Sequence, residues 1–230
     1  MIPWLRGDEP FPPVGKALKS PNGLLCAGGD LSPRRLLEAY AHGIFPWFSE
    51  GDPILWWSPD PRMVLYPREL KVSRSLRKTV ERGTYETRFD TAFREVIAEC
   101  AAPREGQSGT WIVPGMAAAY TALHEMGFVH SVESWRDGEL VGGLYGMSLG
   151  KAFFGESMFS RAPDASKVAL VKLVERLEAQ GCRLIDCQQA TPHLASLGAR
   201  EIPRREFAKQ VQESIQYPLS GARWTTGQQK

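Results

Sequence analysis

Lys151-Ala-Phe-Phe-Gly-Glu-Ser-Met-Phe-Ser-Arg161 and Leu184-Ile-Asp-Cys-Gln188 decide how this chain is read. Both are apolar runs of strand length, yet each carries polar groups that an ordinary core excludes. These are Glu156 in the first, and Asp186 and Gln188 in the second. Burying a carboxylate or an amide without a partner is costly, so the three need a reason to be there. Side chains at i and i+2 of a strand share a face, which predicts Asp186 and Gln188 side by side. An acid beside an amide can orient an amine for attack on an ester or thioester. The plainer alternative is a satisfied polar pair at a strand end.

Around these two segments the pattern is regular. A strand is predicted over 128–135, and Asp137-Gly138 supplies a hairpin turn into a returning strand over 140–149. A third strand covers 151–159. Leu170, Leu173, Val174 and Leu177 then recur on one face of a helix predicted over 164–180, with Gly181 to end it. A strand over 183–188, a short helix over 192–198 and a last helix over 204–215 follow. The order hairpin, strand, helix, strand, helix is that of the middle of an acyl-CoA N-acyltransferase-like (GNAT) fold, so the predicted class is α+β. Such enzymes hold the CoA pyrophosphate on a Gln/Arg-x-x-Gly-x-Gly/Ala loop before the central helix. Here that segment reads Ser160-Arg-Ala-Pro-Asp-Ala-Ser166, without those glycines. A donor other than acyl-CoA is expected.

The N-terminal part reads as a separate unit. A glycine-rich turn over 21–31 leads to Ser32-Pro33, a helix cap followed by proline at the first helical position, and the helix stops at Gly43. Gly28-Gly29 lacks both the lysine of a P-loop and the spacing of a dinucleotide fingerprint, so no phosphate cradle is assigned. Pro59-Asp-Pro61 marks a predicted seam between a small N-terminal domain (1–62) and a GNAT-like catalytic domain (63–230). Beyond it come a strand over 63–66, a helix over 73–82, and helices over 91–101 and 114–126. The proline-rich start, 10–13, and the tail after Tyr217 are expected to be peripheral.

A chain of 230 residues, 43% hydrophobic and 23% charged, has the balance of a globular enzyme rather than of a disordered or membrane-spanning protein. Four cysteines form no CxxC pair, and four histidines lack metal-ligand spacing. A reducing cytoplasm, no metal and no cofactor are expected. Net charge of +2 does not announce a nucleic-acid binder. Local patterning is more telling, because Lys71, Arg74, Lys78 and Arg82 recur at helical spacing with Arg77 beside them and only Glu81 opposed. Such a ridge suits a phosphate backbone, although a solvated helix face is the plainer reading.

Several stretches in order carry a resemblance: Pro21-Asn-Gly-Leu-Leu, Gly28-Gly-Asp-Leu-Ser-Pro33, Gly43-Ile-Phe-Pro-Trp-Phe48, Leu55-Trp-Trp-Ser-Pro-Asp-Pro-Arg62 and Gly109-Thr-Trp-Ile112. They continue with Gly155-Glu-Ser-Met-Phe-Ser-Arg161, Leu184-Ile-Asp-Cys-Gln188, Ser196-Leu-Gly-Ala199 and Ile202-Pro-Arg-Arg205. Over nearly its whole length the chain resembles the leucyl/phenylalanyl-tRNA–protein transferase family. The resemblance implies transfer of Leu, Phe and sometimes Met from aminoacyl-tRNA to a protein N-terminal Arg or Lys, marking it for N-degron degradation. Gln188 would aim the incoming amine and Asp186 would polarise it, with Asp186 or water as candidate proton acceptors. Glu156 is left between the donor's terminal ribose and the acceptor's cationic side chain. Leu144, Phe153, Met158, Leu170, Leu173 and Leu177 are the candidate donor pocket. Trp47 and Trp111 would line the terminal-adenosine site, where base stacking is worth ~1–3 kcal/mol. Tyr120 and His193 match positions near the site. Arg74, Arg77, Lys78 and Arg82 would grip the acceptor stem. No swapped arm or heptad is seen, so a monomer is expected.

Two other classes stand beside this reading. A small-molecule GNAT enzyme using acyl-CoA is opposed by the missing pyrophosphate loop. A non-catalytic tRNA-binding module is opposed by the Glu156, Asp186 and Gln188 set.

Overall fold

The computed structural model describes residues 2–103, 110–217 and 223–224. Gly109 of the quoted Gly-Thr-Trp-Ile motif, and most of the tail after Tyr217, lie outside the described residues. The first unit is a sheet of four strands in the order β1-β2-β4-β3. Its strands are β1 (Trp4–Leu5), β2 (Leu24–Gly28), β3 (Phe45–Pro46) and β4 (Leu55–Trp57), with helix α1 (Pro33–Ala41) between β2 and β3. Ser32 caps α1 by accepting from the Arg35 N–H, and Pro33 opens it, as the sequence predicts.

The second sheet has seven strands, β5 (Arg62–Leu65), β6 (Glu86–Phe89), β7 (Val129–Arg136), β8 (Glu139–Leu149), β9 (Ala152–Ser160), β10 (Leu184–Gln188) and β11 (Arg200–Ile202). Their spatial order is β11-β5-β10-β9-β8-β7-β6. The helices are α2 (Arg74–Glu81), α3 (Phe93–Ala101), α4 (Pro114–Glu125), α5 (Ala165–Ala179), α6 (Pro192–Ser196) and α7 (Arg204–Ile215). Asp137 and Gly138 take φ of 54° and 80°, the left-handed pair that a tight β7–β8 hairpin needs. β9 and β10 run parallel, and a parallel pair needs a long crossover, which α5 provides. β6 and β11 are the edge strands; both are short and half polar, so neither carries a hydrophobic alternation strong enough to announce a strand.

α5 packs on one face of the large sheet, where Leu170, Leu173, Val174 and Leu177 meet Val132, Leu144, Phe153 and Ile185. Gly142 allows this approach: a Cβ there would lie 2.6 Å from the Ala165 Cβ at the start of α5. The opposite face carries α3 and α4, and its core runs without a break from Val96, Tyr120 and Phe154 into Leu36, Tyr40 and Trp56 of the first unit. The two sheets therefore share one core.

The tail departs from expectation. Trp224 is 3% exposed and stacks on the buried His130 ring at 4.0 Å between centroids. Its N–H donates to Asp90, whose other carboxylate oxygen accepts from the Ser131 N–H at 2.9 Å. A lone tryptophan in a polar tail gives no periodic signal, so only the fold reveals this anchor. Trp224→Ala should destabilise the protein by about 3–5 kcal/mol, the usual cost of emptying a large aromatic site. Urea denaturation checks this, and a loss below ~1 kcal/mol would show that the tail adds nothing to the core.

Candidate functional site

The site begins where β9 and β10 part. Their pairing runs through Leu184↔Ala152, Ile185↔Phe153 and Asp186↔Phe154 and ends there. Against β5, the register shifts between Asp186 and Gln188, leaving Cys187 bulged, and Gln188 takes φ 61°. On the other side, β8 and β9 shift register between Tyr145 and Gly146. Bulges re-aim side chains and bend strands. Here they open a cavity of about 230 Å³ between the strands and α5. Its walls are Leu144, Phe153, Met158, Leu170, Leu173 and Ile185, and its polar members include Glu156, Asp186, Thr191 and His193.

Asp186 and Gln188 do not form the simple i, i+2 pair that an even strand would give. The bulge breaks the alternation, and the two side chains take different partners. Asp186 is fully buried and accepts from Arg62 twice, Nε to Oδ1 at 2.8 Å and Nη2 to Oδ2 at 2.6 Å. Its Oδ1 also accepts the backbone N–H of Gln188 at 2.8 Å. Arg62 lies between the rings of Phe45 and Phe207, with its guanidinium 4.7 and 4.5 Å from their centroids, and donates to the Gly43 carbonyl. Asp186 is thus spoken for by an arginine, which makes it an anchor for Gln188 rather than a free acceptor for an amine proton.

Glu156 faces the other way. Its Oε1 accepts from the Tyr40 hydroxyl at 2.7 Å and from Gln188 Nε2 at 3.0 Å, and its Oε2 accepts from the Tyr120 hydroxyl at 3.1 Å. The residue is partly exposed to the cleft while its carboxyl group is tucked among these donors. Burial, above all, pushes its pKa up to about 8, against the pull of the two hydroxyls and of Arg62. The Gln188 amide is held at both ends of its residue, backbone N–H on Asp186 and side-chain nitrogen on Glu156. Its carbonyl oxygen meets no donor among the described residues.

Of the six expected pocket residues, Leu144, Phe153, Met158, Leu170 and Leu173 line the cavity. Leu177, one turn farther along α5, does not; it is 2% exposed within the core. His193 lines the cavity from α6, whereas Tyr120 does not line it and meets the site through its hydrogen bond to Glu156. Trp47 is 39% exposed and packs edge-on against Trp57, and Trp111 is partly buried against the shared core. Neither borders the cavity. Arg74, Arg77 and Lys78 on α2 and Arg82 at its C-cap are exposed, with no ion pair among the described residues, while Leu76 and Val80 fix the helix against Val168 and Val171 of α5. Sequence reading missed Arg62 and Tyr40. An arginine opening an apolar strand is the one signal that could have flagged Arg62 as the counter-ion of Asp186.

The sequence is similar to those of known proteins. A profile of the family described as leucyl/phenylalanyl-tRNA protein transferase matches residues 64–212, and one of that family's N-terminal domain matches residues 29–60. The leucyl/phenylalanyl-tRNA–protein transferase of Nitrosospira multiformis is 65% identical over 224 residues, 97% of either chain. That of Chromobacterium violaceum is 61% identical over 224 residues, 97% of this chain and 96% of that one. Among solved structures, a GCN5-related N-acetyltransferase-like protein from Streptococcus suis superposes with a TM-score of 0.35 and 13% identity, over 74% of this chain and 63% of that one. A superposition that loose decides nothing. Sequence identity sustained across both matched segments does: the chain belongs to the leucyl/phenylalanyl-tRNA protein transferase family and is an aminoacyltransferase that draws on aminoacyl-tRNA.

Proposed function

We propose that the cavity between β9 and β10 takes the Leu or Phe side chain of an aminoacyl-tRNA and presents its ester to the N-terminal amine of a protein that begins with Arg or Lys. The observation that carries this reading is the apolar cavity lined by Glu156 and Asp186, the two carboxyl groups that hold Gln188, one through its side-chain nitrogen and the other through its backbone N–H. At about 230 Å³ it suits one apolar side chain rather than a whole cofactor, since drug-sized pockets run ~300–1,000 Å³.

The ester is already activated, so positioning does most of the work. Gln188 accepts a hydrogen bond from the amine through its free carbonyl oxygen, which aims the nitrogen lone pair at the ester carbonyl. The C–N bond forms, the bond to the ribose oxygen breaks, and the amine proton is balanced by the one the ribose hydroxyl gains. An amide is no general base, so Gln188 orients the amine and does not keep its proton. Methionine, apolar and close to leucine in volume, is read as a third donor. The exposed cations of α2 serve the acceptor stem, and Trp47 and Trp111 the terminal adenosine. Residues 1–62 and 63–230 are read as an N-terminal domain and a GNAT-like catalytic domain, acting as a cytoplasmic monomer in N-degron marking. No helix of the described residues is long and apolar enough to cross a membrane.

Labelled Phe-tRNA incubated with Arg- and Lys-terminated peptides tests the reaction itself; peptides with other first residues should stay unlabelled. In the same assay Gln188→Ala should lower kcat by roughly 10²-fold, the usual cost of a misplaced reactant, while KM for aminoacyl-tRNA changes little. Near-normal single-turnover rates would remove Gln188 from the chemistry.

Leu173→Phe should shift preference away from Phe toward Leu by about 1–3 kcal/mol, because the added ring takes volume from the cavity. An unaltered Phe:Leu ratio in a folded variant would show that the donor side chain lies elsewhere.

Charge reversal at Arg74 and Lys78 should raise KM for full aminoacyl-tRNA and reduce the log–log salt slope by roughly 0.7–0.9 per lost phosphate contact. A minimal aminoacyl-adenosine donor should react as before. Equal losses with both donors would end the assignment of α2 to the stem.

A further inference from the structure

We propose that Tyr40 is a positioning residue of the transfer reaction: with Tyr120 and Glu156 it closes a three-proton hydrogen-bond circuit that holds Glu156 as a neutral acid and fixes the Gln188 amide. The inference rests on the reading of Gln188 as the group that aims the amine.

The Tyr40 hydroxyl contacts the Tyr120 hydroxyl, the Tyr40 hydroxyl contacts Glu156 Oε1 at 2.7 Å, and the Tyr120 hydroxyl contacts Glu156 Oε2 at 3.1 Å. Three contacts between oxygens need three protons. The two hydroxyls supply two and a carboxylate supplies none. With Glu156 ionised, both tyrosines donate to it, and their mutual contact brings two oxygen lone pairs together. With Glu156 protonated the circuit closes in one sense. Glu156 Oε2–H donates to Tyr120, the Tyr120 hydroxyl donates to Tyr40, and the Tyr40 hydroxyl donates to Glu156 Oε1. Oε1 retains capacity for the Gln188 Nε2–H at 3.0 Å.

Both tyrosines are 0% exposed, so bulk water does not supply a missing proton. Each is held well above the usual tyrosine pKa, chiefly by burial, so neither gives up its proton. The other charged or titratable groups around Glu156 are Asp186, which disfavours its ionisation, Arg62, which favours it, and Tyr145 of β8. Tyr145 is fully buried with its hydroxyl unpartnered, so it offers no alternative donor to the carboxyl. A pKa raised to about 8 agrees with the proton count.

Tyr40 belongs to α1, so the first unit touches Glu156 directly through this hydroxyl. The sign of the linkage follows. A carboxyl protonated to about 8 when folded, against 4.5 as a free side chain, lowers stability as pH rises between those values and costs nothing below them.

Difference infrared spectroscopy of the whole protein, wild type against Glu156→Gln, reads the protonation directly. A protonated-carboxyl C=O band should be present at neutral pH, absent in Glu156→Gln, and lost from wild type as pH rises through the pKa of about 8. In the Phe-tRNA assay, Tyr40→Phe and Tyr120→Phe should each lower kcat roughly tenfold with KM for tRNA little changed, and the double variant should be no worse than the weaker single, since either opens the same circuit. Glu156→Gln, whose amide can donate to Tyr120 and accept from Tyr40, should keep at least ~10-fold more kcat than Glu156→Ala. A wild type that transfers Phe but shows no protonated-carboxyl band overturns the circuit and leaves the reaction standing. So do additive losses in the double variant, or a Glu156→Gln no better than Glu156→Ala. A protein that shows the band but transfers no Phe would overturn the reaction instead.

Discussion

The Arg62–Asp186 ion pair holds this molecule together around its site. Both side chains are fully buried, so each is tolerable only because of the other. Removing one partner of such a pair typically costs about 3–5 kcal/mol, because the remaining charge is stranded. The pair joins β5 to β10, and the guanidinium is clasped by Phe45 of the first sheet and Phe207 of α7. Gly43 makes the clasp possible: a Cβ there would lie 2.8 Å from the Phe207 ring. One interaction thus pins the small sheet, the large sheet and the last helix, and the same carboxylate anchors the Gln188 backbone.

From that anchor the site is built by interrupted regularity. Cys187 bulges, β9 and β10 separate after one matched triplet, and the freed space becomes the cavity. The apolar side chains that line it from α5 are the same ones that fix the helix on the sheet. Substitution of a lining residue therefore changes the cavity and the packing of α5 together.

Charge is separated by function. The site's two acids are both partnered within the fold, Asp186 by the Arg62 guanidinium and Glu156 by contacts with two tyrosine hydroxyls and the Gln188 amide. A group of exposed cations without an ion pair among the described residues lies along α2, with α5 between that helix and the cavity. The exposed positive charge of α2 is in this way kept apart from the buried acids beside the cavity.

Local patterns in the sequence determined much of the fold. Periodicity located α5, β7–β9, β10 and α7 to within a residue or two, because an alternating or helical hydrophobic face is imposed by burial and is legible without contacts. The Asp-Gly turn and the Ser-Pro cap were legible for the same reason, as local backbone chemistry. Glu156, Asp186 and Gln188 stood out because polar groups in apolar strands demand partners. Which partners they find was decided by tertiary structure alone. Arg62 lies 124 residues from Asp186 and Tyr40 lies 116 from Glu156, separations that no local pattern spans. The bulge that turns Gln188 away from an even alternation, the exclusion of Leu177 from the cavity and the docking of Trp224 on His130 depend equally on register and close packing. These are properties of how strands and helices meet, and only the folded chain expresses them.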